Sequence, residues 1–491
     1  MEIFQLVLFA VVFFSMVILM FFRKIPALLA LPVMAFFIPL IAGVSIGDTI
    51  QLVIGEGATK LSRAYTVAIF GSMLSILLQQ TGIARNFIKI GAELAGDNTW
   101  AIAVLMMSMI ALLFSTLGGL GAVIMVGTII LPIMSSIGIG ALTTTGIFLF
   151  GFSIGGILNV GNWVVYIDVL GMNINQVRPF ALTMFGVAFL VALLYITVQL
   201  HRDGTKINFI KIGLRVLILI IVISAIFLGF NQLDDNIRST ISGIFKQAGT
   251  GIKYALAIGL GGIVILTFIH KLFKHKKEKD NIYWTAYLTP ILPLVLILVF
   301  NMGFIAAFIC GLLFGFLATY HKGSLNQFIQ SIFKGGSVVM PAVVMFFGIG
   351  MLLNAIMGPG GDWAASHPEG WPVLNILRPL FEQIVPTSAW QYIFLFALAA
   401  PLALYRGPLN IWGMGYGVAA VFVASGLPAG AVMGMLITVG QIQGISDPTN
   451  THNVWLANEM DQNVQKILQN TLPYSWLLAI IGLVFSAIWF M

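Results

Sequence analysis

Charge is what this chain has least of. Only 8% of its 491 residues are Asp, Glu, Lys or Arg, against 59% that are hydrophobic. A water-soluble domain cannot hide that much apolar side chain, so a soluble globular protein is excluded and an all-α polytopic membrane protein is expected. Cysteine is nearly missing: the lone Cys310 sits inside an apolar run, which excludes a disulfide framework within the chain. No G-x-x-x-x-G-K-[ST] loop occurs, which argues against ATP as an energy source. No H-E-x-x-H marks a metalloprotease, and no T-V-G-Y-G-like filter marks a potassium channel. Serine and histidine are too scattered to suggest a hydrolase, so no enzyme is expected, and the Met- and Phe-rich runs imply packing or lipid contact with no cofactor. The net charge of +7 comes from basic residues gathered in a few short loops. That pattern fits cytoplasmic loops of a multi-pass protein in the inner (plasma) membrane, with lipid and not nucleic acid as the surrounding partner.

What the chain does have is repetition. The stretch S-T-L-G-G-L-G at 115–121, an apolar run and G-G-I-L-N-V-G-N-W at 155–163 recur as Y-R-G-P-L-N at 405–410, an apolar run and Q-G-I-S-D-P-T-N-T-H at 443–452. A shift of 288 carries Gly119 onto Gly407, Gly138 onto Gly426, Gly156 onto Gly444, Asn159 onto Asp447 and Asn162 onto Asn450. Earlier in the halves a shift of 279 carries Gly57 onto Gly336, Gly71 onto Gly350, Leu74 onto Leu353 and Gly82 onto Gly361. The difference of nine falls naturally in the polar loop 358–389. Paired, interrupted hydrophobic segments in two halves point to a binding site between them.

The chain divides into a first repeat at 1–200, a linker at 201–281 with two spanning helices and a basic loop, and a second repeat at 282–491. Residues 3–22, 26–43, 61–81 and 177–200 read as spans, the first of them retained as a helix and not a removed signal peptide. Residues 46–60 read as an interfacial segment. The broken run 98–140 reads as a re-entrant hairpin, because backbone that leaves a helix at membrane depth must be buried in protein or line a wet cavity. Residues 141–170 read as one helix interrupted at I-L-N-V-G-N. The linker spans fall at 211–231 and 252–273, with a polar interfacial stretch between them. Basic loops at 23–24, 201–211, 271–279 and 321–322 place the start of the first half outside and the start of the second inside, so the repeats are inverted. The side count would be the same if 98–140 crossed twice; the Gly-rich tips favour the hairpins.

Arg406 is the sharpest single residue. A charge at membrane depth costs roughly 2.5–3.5 kcal/mol or more, and a guanidinium there suits bidentate capture of a carboxylate. Pairing with Asp447 to close the fold, or snorkelling to the surface, are the structural alternatives. Asp447 suits either a cap on the helix after Pro448 or a coupled cation or proton. His452 is a weaker proton candidate beside a plain packing role. Asn159, Asn162, Asn410, Thr449, Asn450 and Thr451 offer neutral oxygens and amides, either as helix–helix glue or as site lining; Asn159, Asn162 and Asn450 suit Na⁺. Ser115, Thr116, Gly118 and Gly119 form the first tip and Gly407 belongs to the second, where a tight glycine turn exposes backbone N–H groups. Asp168, at the outer end of its helix, reads as solvated.

At these residues the chain resembles the ion transporter superfamily, which includes divalent-anion/sodium symporters, citrate, gluconate and lactate permeases and some Na⁺/H⁺ antiporters. T-N-T at 449–451 is similar to the Ser-Asn-Thr signature of the divalent-anion symporters, although the first half has G-N-W at 161–163 in the matching place. G-G-L-G-A at 118–122 before a long apolar run is similar to the gluconate and lactate permeases. The resemblance implies a homodimer, an elevator-type movement of the hairpin domain, and substrate held between two tips and two breaks. The expectation is a secondary transporter of a small organic anion, a carboxylate, driven by Na⁺ or H⁺. The alternatives are a Na⁺/H⁺ antiporter on the same scaffold, with Asp447 as the exchanging group, and a channel or membrane enzyme.

Overall fold

The computed structural model describes residues 2–22, 24–94, 96, 98–205, 235–273, 282–321, 323–411 and 415–491. The linker span expected at 211–231 lies outside the described residues, as do Arg23, Lys206 and all but the first three residues of the basic cluster 271–279.

The elements are helical throughout the described residues. Apolar side chains run all round most of them, as lipid or a protein core requires, and polar residues appear mainly where helices begin. Helix α1 (Glu2–Phe21), α2 (Ala27–Ile41) and α3 (Ser62–Gln80) lead to α4 (Ile83–Leu94). Helices α5 (Thr99–Phe114) and α6 (Leu120–Ser136) form a pair joined at the Gly-rich tip, followed by α7 (Ala141–Leu158), α8 (Val160–Leu170) and α9 (Ile174–Arg202). Asn98 starts α5 by accepting the Ala101 N–H, and an Asn173–Gln176 capping box starts α9. After the linker helix α10 (Asp235–Phe273) come α11 (Phe304–Ala318), α12 (Ser324–Met357) and α13 (Pro372–Glu382). The second pair is α14 (Ala389–Ala399), continued by a 3₁₀ segment Ala400–Arg406, and α15 (Tyr416–Ala424). Helices α16 (Ala429–Ser446), α17 (Thr451–Glu459) and α18 (Val464–Phe490) complete the chain.

Among the described residues eight helices are long and apolar enough to cross a membrane. The arms of the pairs are shorter: 16 and 17 residues in the first, 11 and 9 in the helices of the second. At 1.5 Å per residue even the longer arms reach only about 24–26 Å, short of the ~30 Å hydrocarbon core. Helices α7 and α16 lie at the centre, 78% of an 18-residue stretch of each being buried, against 11% for α1 on the rim.

Three sequence expectations shift. Residues 46–60 do not lie apart as an interfacial segment. They wind helically into α3, with Thr49, Val53 and Gly57 buried, because glycine at 57 and 350 lets two backbones touch. The polar stretch expected at 232–251 continues, from Asp235 on, as part of the single helix α10. Asp168 is not solvated: it pairs with Arg63 of α3, which ties α8 to that helix.

Candidate functional site

Each half brings a tip against a break. In the first half α7 stops at Asn159, whose extended backbone lets α8 restart one residue later. The Asn159 Oδ1 accepts the Gly161 N–H at 3.0 Å, while its Nδ2 donates to the Phe114 and Leu117 carbonyls of the first tip at 3.0 and 3.1 Å. The side chain thus caps its own helix and fastens the tip. Gly119 turns that tip with φ +83°, a conformation that L side chains resist. Ser115 is buried, its hydroxyl donating to Leu112 O at 2.6 Å; the Thr116 hydroxyl donates to Pro290 O at 2.9 Å.

In the second half α16 stops at Asp447, which is fully buried. One carboxylate oxygen accepts the Tyr405 N–H at 3.1 Å and both the N–H and the hydroxyl of Thr449 at 2.9 and 2.7 Å; the other accepts Asn410 Nδ2 at 3.2 Å. Four donors therefore hold this carboxylate. They span tip and break, and Asn410 adds a bond from Nδ2 to Ala403 O at 2.9 Å. The tip they brace is strained: Tyr405 and Arg406 stand at φ +55° and +59°, which non-glycine residues adopt at a cost of order 1–3 kcal/mol each. Gly407 follows because a Cβ there would lie 2.1 Å from the Leu402 carbonyl oxygen.

The two breaks face each other across a cavity of about 400 Å³. Thr116, Gly118 and Gly119 of the first tip line it, as do Asn159 and Asn162 of the first break. Arg406 and Asn410 of the second tip, and Asn450, Thr451 and His452 of the second break, complete the expected set. Ser115, Gly407, Thr449 and Asp447 stand behind the wall. Arg406 is half-buried and makes no ion pair; among the described residues the pair Arg63–Asp168 is the only one within ion-pair distance. The structural alternative of an Arg406–Asp447 pair is therefore not what the fold contains.

Asn162 and Asn450 are used alike. Each donates its amide nitrogen to a carbonyl of the preceding helix, Asn162 to Gly156 at 2.8 Å and Asn450 to Gln443 at 2.6 Å. Those bonds fix which end of the amide is which, and neither Oδ1 has a protein partner among the described residues. His452 Nε2 meets Gly444 O at 3.0 Å and its ring lies on Phe152, 4.4 Å between centroids. Sequence reasoning missed Ser153, Gln441 and Gln443. Ser153 donates to Gln441 Oε1 at 2.7 Å, and Gln443 Oε1 accepts the Ile411 N–H at 2.8 Å. Two glutamines inside the apolar run before the second break were the available signal, since buried amides in a membrane helix need partners. The Tyr416 hydroxyl, at the cavity wall and buried, has no partner among the described residues.

No protein-family model matches the chain, and no curated protein matches it in sequence. Its fold does have solved counterparts. The crystal structure of the Alcanivorax borkumensis YdaH transporter, which reveals an unusual topology, aligns with a TM-score of 0.52 at 11% identity, covering 90% of this chain and 88% of that one. At that identity the likeness is one of fold: the described residues, helical throughout, share the fold of that transporter.

Proposed function

We propose that the protein is a secondary active transporter of a small organic anion, a carboxylate, coupled to Na⁺ or H⁺, acting in the inner (plasma) membrane as a homodimer. The observation that carries this reading is Arg406: a half-buried guanidinium without an ion pair, at a cavity shared by both tips and both breaks. An anion would relieve it through charge-assisted hydrogen bonds. Helices α6 and α17 begin at the same cavity without a side-chain cap, so their first-turn N–H groups and dipoles favour a negative charge there as well. The Oδ1 atoms of Asn162 and Asn450 suit Na⁺ as the coupling ion.

Inverted repeats and an elevator-type movement are part of the proposal. Reciprocal contacts support the repeats. Gly57 packs on Gly350, and the stretch at Ser72 packs on Gly335, with Ser72 donating to Gly335 O at 2.8 Å. Under the shift of 279 these two contacts exchange roles to within a residue, as a two-fold axis requires. Ser153 and Gln441, bonded to each other, are themselves 288 apart. Under this reading the tips and breaks move together against α3, α11 and α12.

The test is uptake by purified protein in liposomes, with radiolabelled mono-, di- and tricarboxylates and with Na⁺ and pH gradients imposed separately. Gradient-driven accumulation of an acid, lost in Arg406→Gln, is the expected result. Na⁺-evoked proton movement with no acid transported would instead select the antiporter. That alternative lacks a carboxylate at the cavity wall among the described residues, since Asp447 is turned away and held by four donors.

A further inference from the structure

The cavity has two unlike walls. The wall made by the tips and breaks carries nearly all of its polar atoms: the Arg406 guanidinium, the amides of Asn162, Gln441 and Asn450, and the Thr451 hydroxyl. The opposite wall comes from α3, α11 and α12 and is apolar, with Val67, Phe308, Val338, Ala342, Met345 and Phe346. Its one hydroxyl, on Ser72, donates to Gly335 O and so is already partnered. Among the described lining residues Arg406 is the only Lys or Arg, and no Asp or Glu lines the cavity. The remaining titratable side chain of note, His452, packs its ring on Phe152 and points Nε2 at Gly444 O.

We propose that the substrate is an amphipathic monoanion: one carboxylate at Arg406 and an apolar body lying on the α3–α11–α12 wall. This rests on the reading of the protein as an organic-anion transporter and narrows it. The physical argument has two parts. One full positive charge neutralises one carboxylate; a second carboxylate, or a chain of hydroxyls, would leave water to face an apolar wall without hydrogen-bond partners. An apolar body in the same place removes that wall and itself from water, worth about fourfold in affinity per methylene until the space is filled. A cavity of about 400 Å³ is large enough for a body of several carbons beyond the carboxylate. The apolar wall has a competing explanation, a greasy surface along which the moving domain slides. The two explanations separate in kinetics: a sliding surface sets the transport rate for every substrate alike, whereas a binding wall sets the order of affinities.

The experiment is equilibrium binding by calorimetry to the purified full-length protein at pH 8, where an imidazole of ordinary pKa is neutral. Acetate, butyrate, hexanoate, octanoate and benzoate are compared with succinate, citrate and gluconate, in NaCl and in choline chloride. Affinity is expected to rise about fourfold per methylene along the straight-chain acids, to exceed that for succinate, citrate and gluconate by at least about tenfold, and to vanish in Arg406→Gln. Ala342→Phe, which fills the apolar side, is expected to weaken octanoate and benzoate while leaving acetate unchanged. Val338→Ala gives a milder reading of the same wall should the larger side chain impair folding: it is expected to lower affinity for the long acids and not for acetate. Tighter binding of succinate, citrate or gluconate in either salt would overturn the amphipathic assignment and leave the organic-anion reading standing. Unchanged affinities for octanoate and benzoate in both wall variants, with transport rates lowered for all acids alike, would assign the wall to sliding and overturn it too. Binding of none of these acids would overturn both this inference and the organic-anion reading.

Discussion

The two tip-and-break pairs occupy matching places and are fastened with opposite polarity. In the first, Asn159 donates to two tip carbonyls. In the second, Asp447 accepts from a tip N–H and a tip amide. The turn differs in step: the first tip uses a glycine at φ +83° and ψ 163°, a region all but closed to other residues, whereas the second places Tyr405 in the left-handed helical region at φ +55° and ψ 32°, with Arg406 following at φ +59°. The difference teaches what the second tip is for. A strained, charged turn persists only where the surroundings over-determine it, and Asp447 supplies that by bonding Tyr405 and Asn410 at once. The first half keeps a neutral, unstrained version of the same device.

Six substitutions would break or sharpen the comparison. The largest effect is expected for Arg406→Ala. It should reduce carboxylate uptake by about 100-fold or more, the loss of a bidentate charge-assisted pair, while gel filtration shows a folded protein; wild-type uptake would remove the residue from the site. Next comes the polarity swap. Asn159→Asp turns a carboxylate oxygen toward the Phe114 and Leu117 carbonyls, and Asp447→Asn turns an amide N–H₂ toward the Asn410 amide. Each should cost about 1–3 kcal/mol, read as a lower midpoint of thermal unfolding in detergent. Asp447→Asn has a second readout. If the carboxylate positions Arg406, the variant raises KM and keeps any pH-gradient dependence; loss of that dependence at unchanged KM would make Asp447 a proton carrier.

The turn itself gives a smaller contrast. Gly119→Ala should destabilise by about 1–3 kcal/mol from backbone strain alone, since the nearest atom to the new Cβ, Val338 Cγ1, is 3.9 Å away. Tyr405→Gly relieves strain but gives up the Tyr405 hydroxyl bond to Gln465 Oε1, so its unfolding midpoint should stay near that of the parent. A midpoint that fell as far as in Gly119→Ala would mean that the second tip is not strained. The smallest effect is expected for Ser153→Ala, about 1 kcal/mol, from a single hydroxyl–amide bond at the crossing of the broken helices.

Much of this arrangement is legible in the chain. Gly118 and Gly119 inside an apolar run announce a turn, and Asn159 and Asp447 at one spacing announce matched breaks, because short polar side chains compete with helix backbone for hydrogen bonds. The cavity-lining positions Thr116, Asn162, Asn410, Asn450 and Thr451 follow from the same pattern. Whether a polar residue stands in front of the wall or behind it does not follow. Asp447 and Thr449 face the protein while Asn450 and Thr451, one and two residues on from Thr449, line the cavity, and a break with no regular period gives no way to assign sides. Ser153 and Gln441 escaped notice for another reason: they lie on different helices, 288 residues apart, and each gains its meaning only beside the other.

The sequence by itself determined the solvent, the helices and the places where they break. Those depend on local quantities: apolar content, run length, glycine, proline and the short polar side chains that stop a helix. Only the tertiary structure decided that Arg406 stands without an ion pair, that Asp447 is enclosed by four donors, that Asp168 pairs with Arg63, and that α3, α11 and α12 give the guanidinium's cavity an apolar wall. Each of these is a relation between segments tens to hundreds of residues apart. It is set by how helices cross and which faces they present, and local propensity carries no information about that.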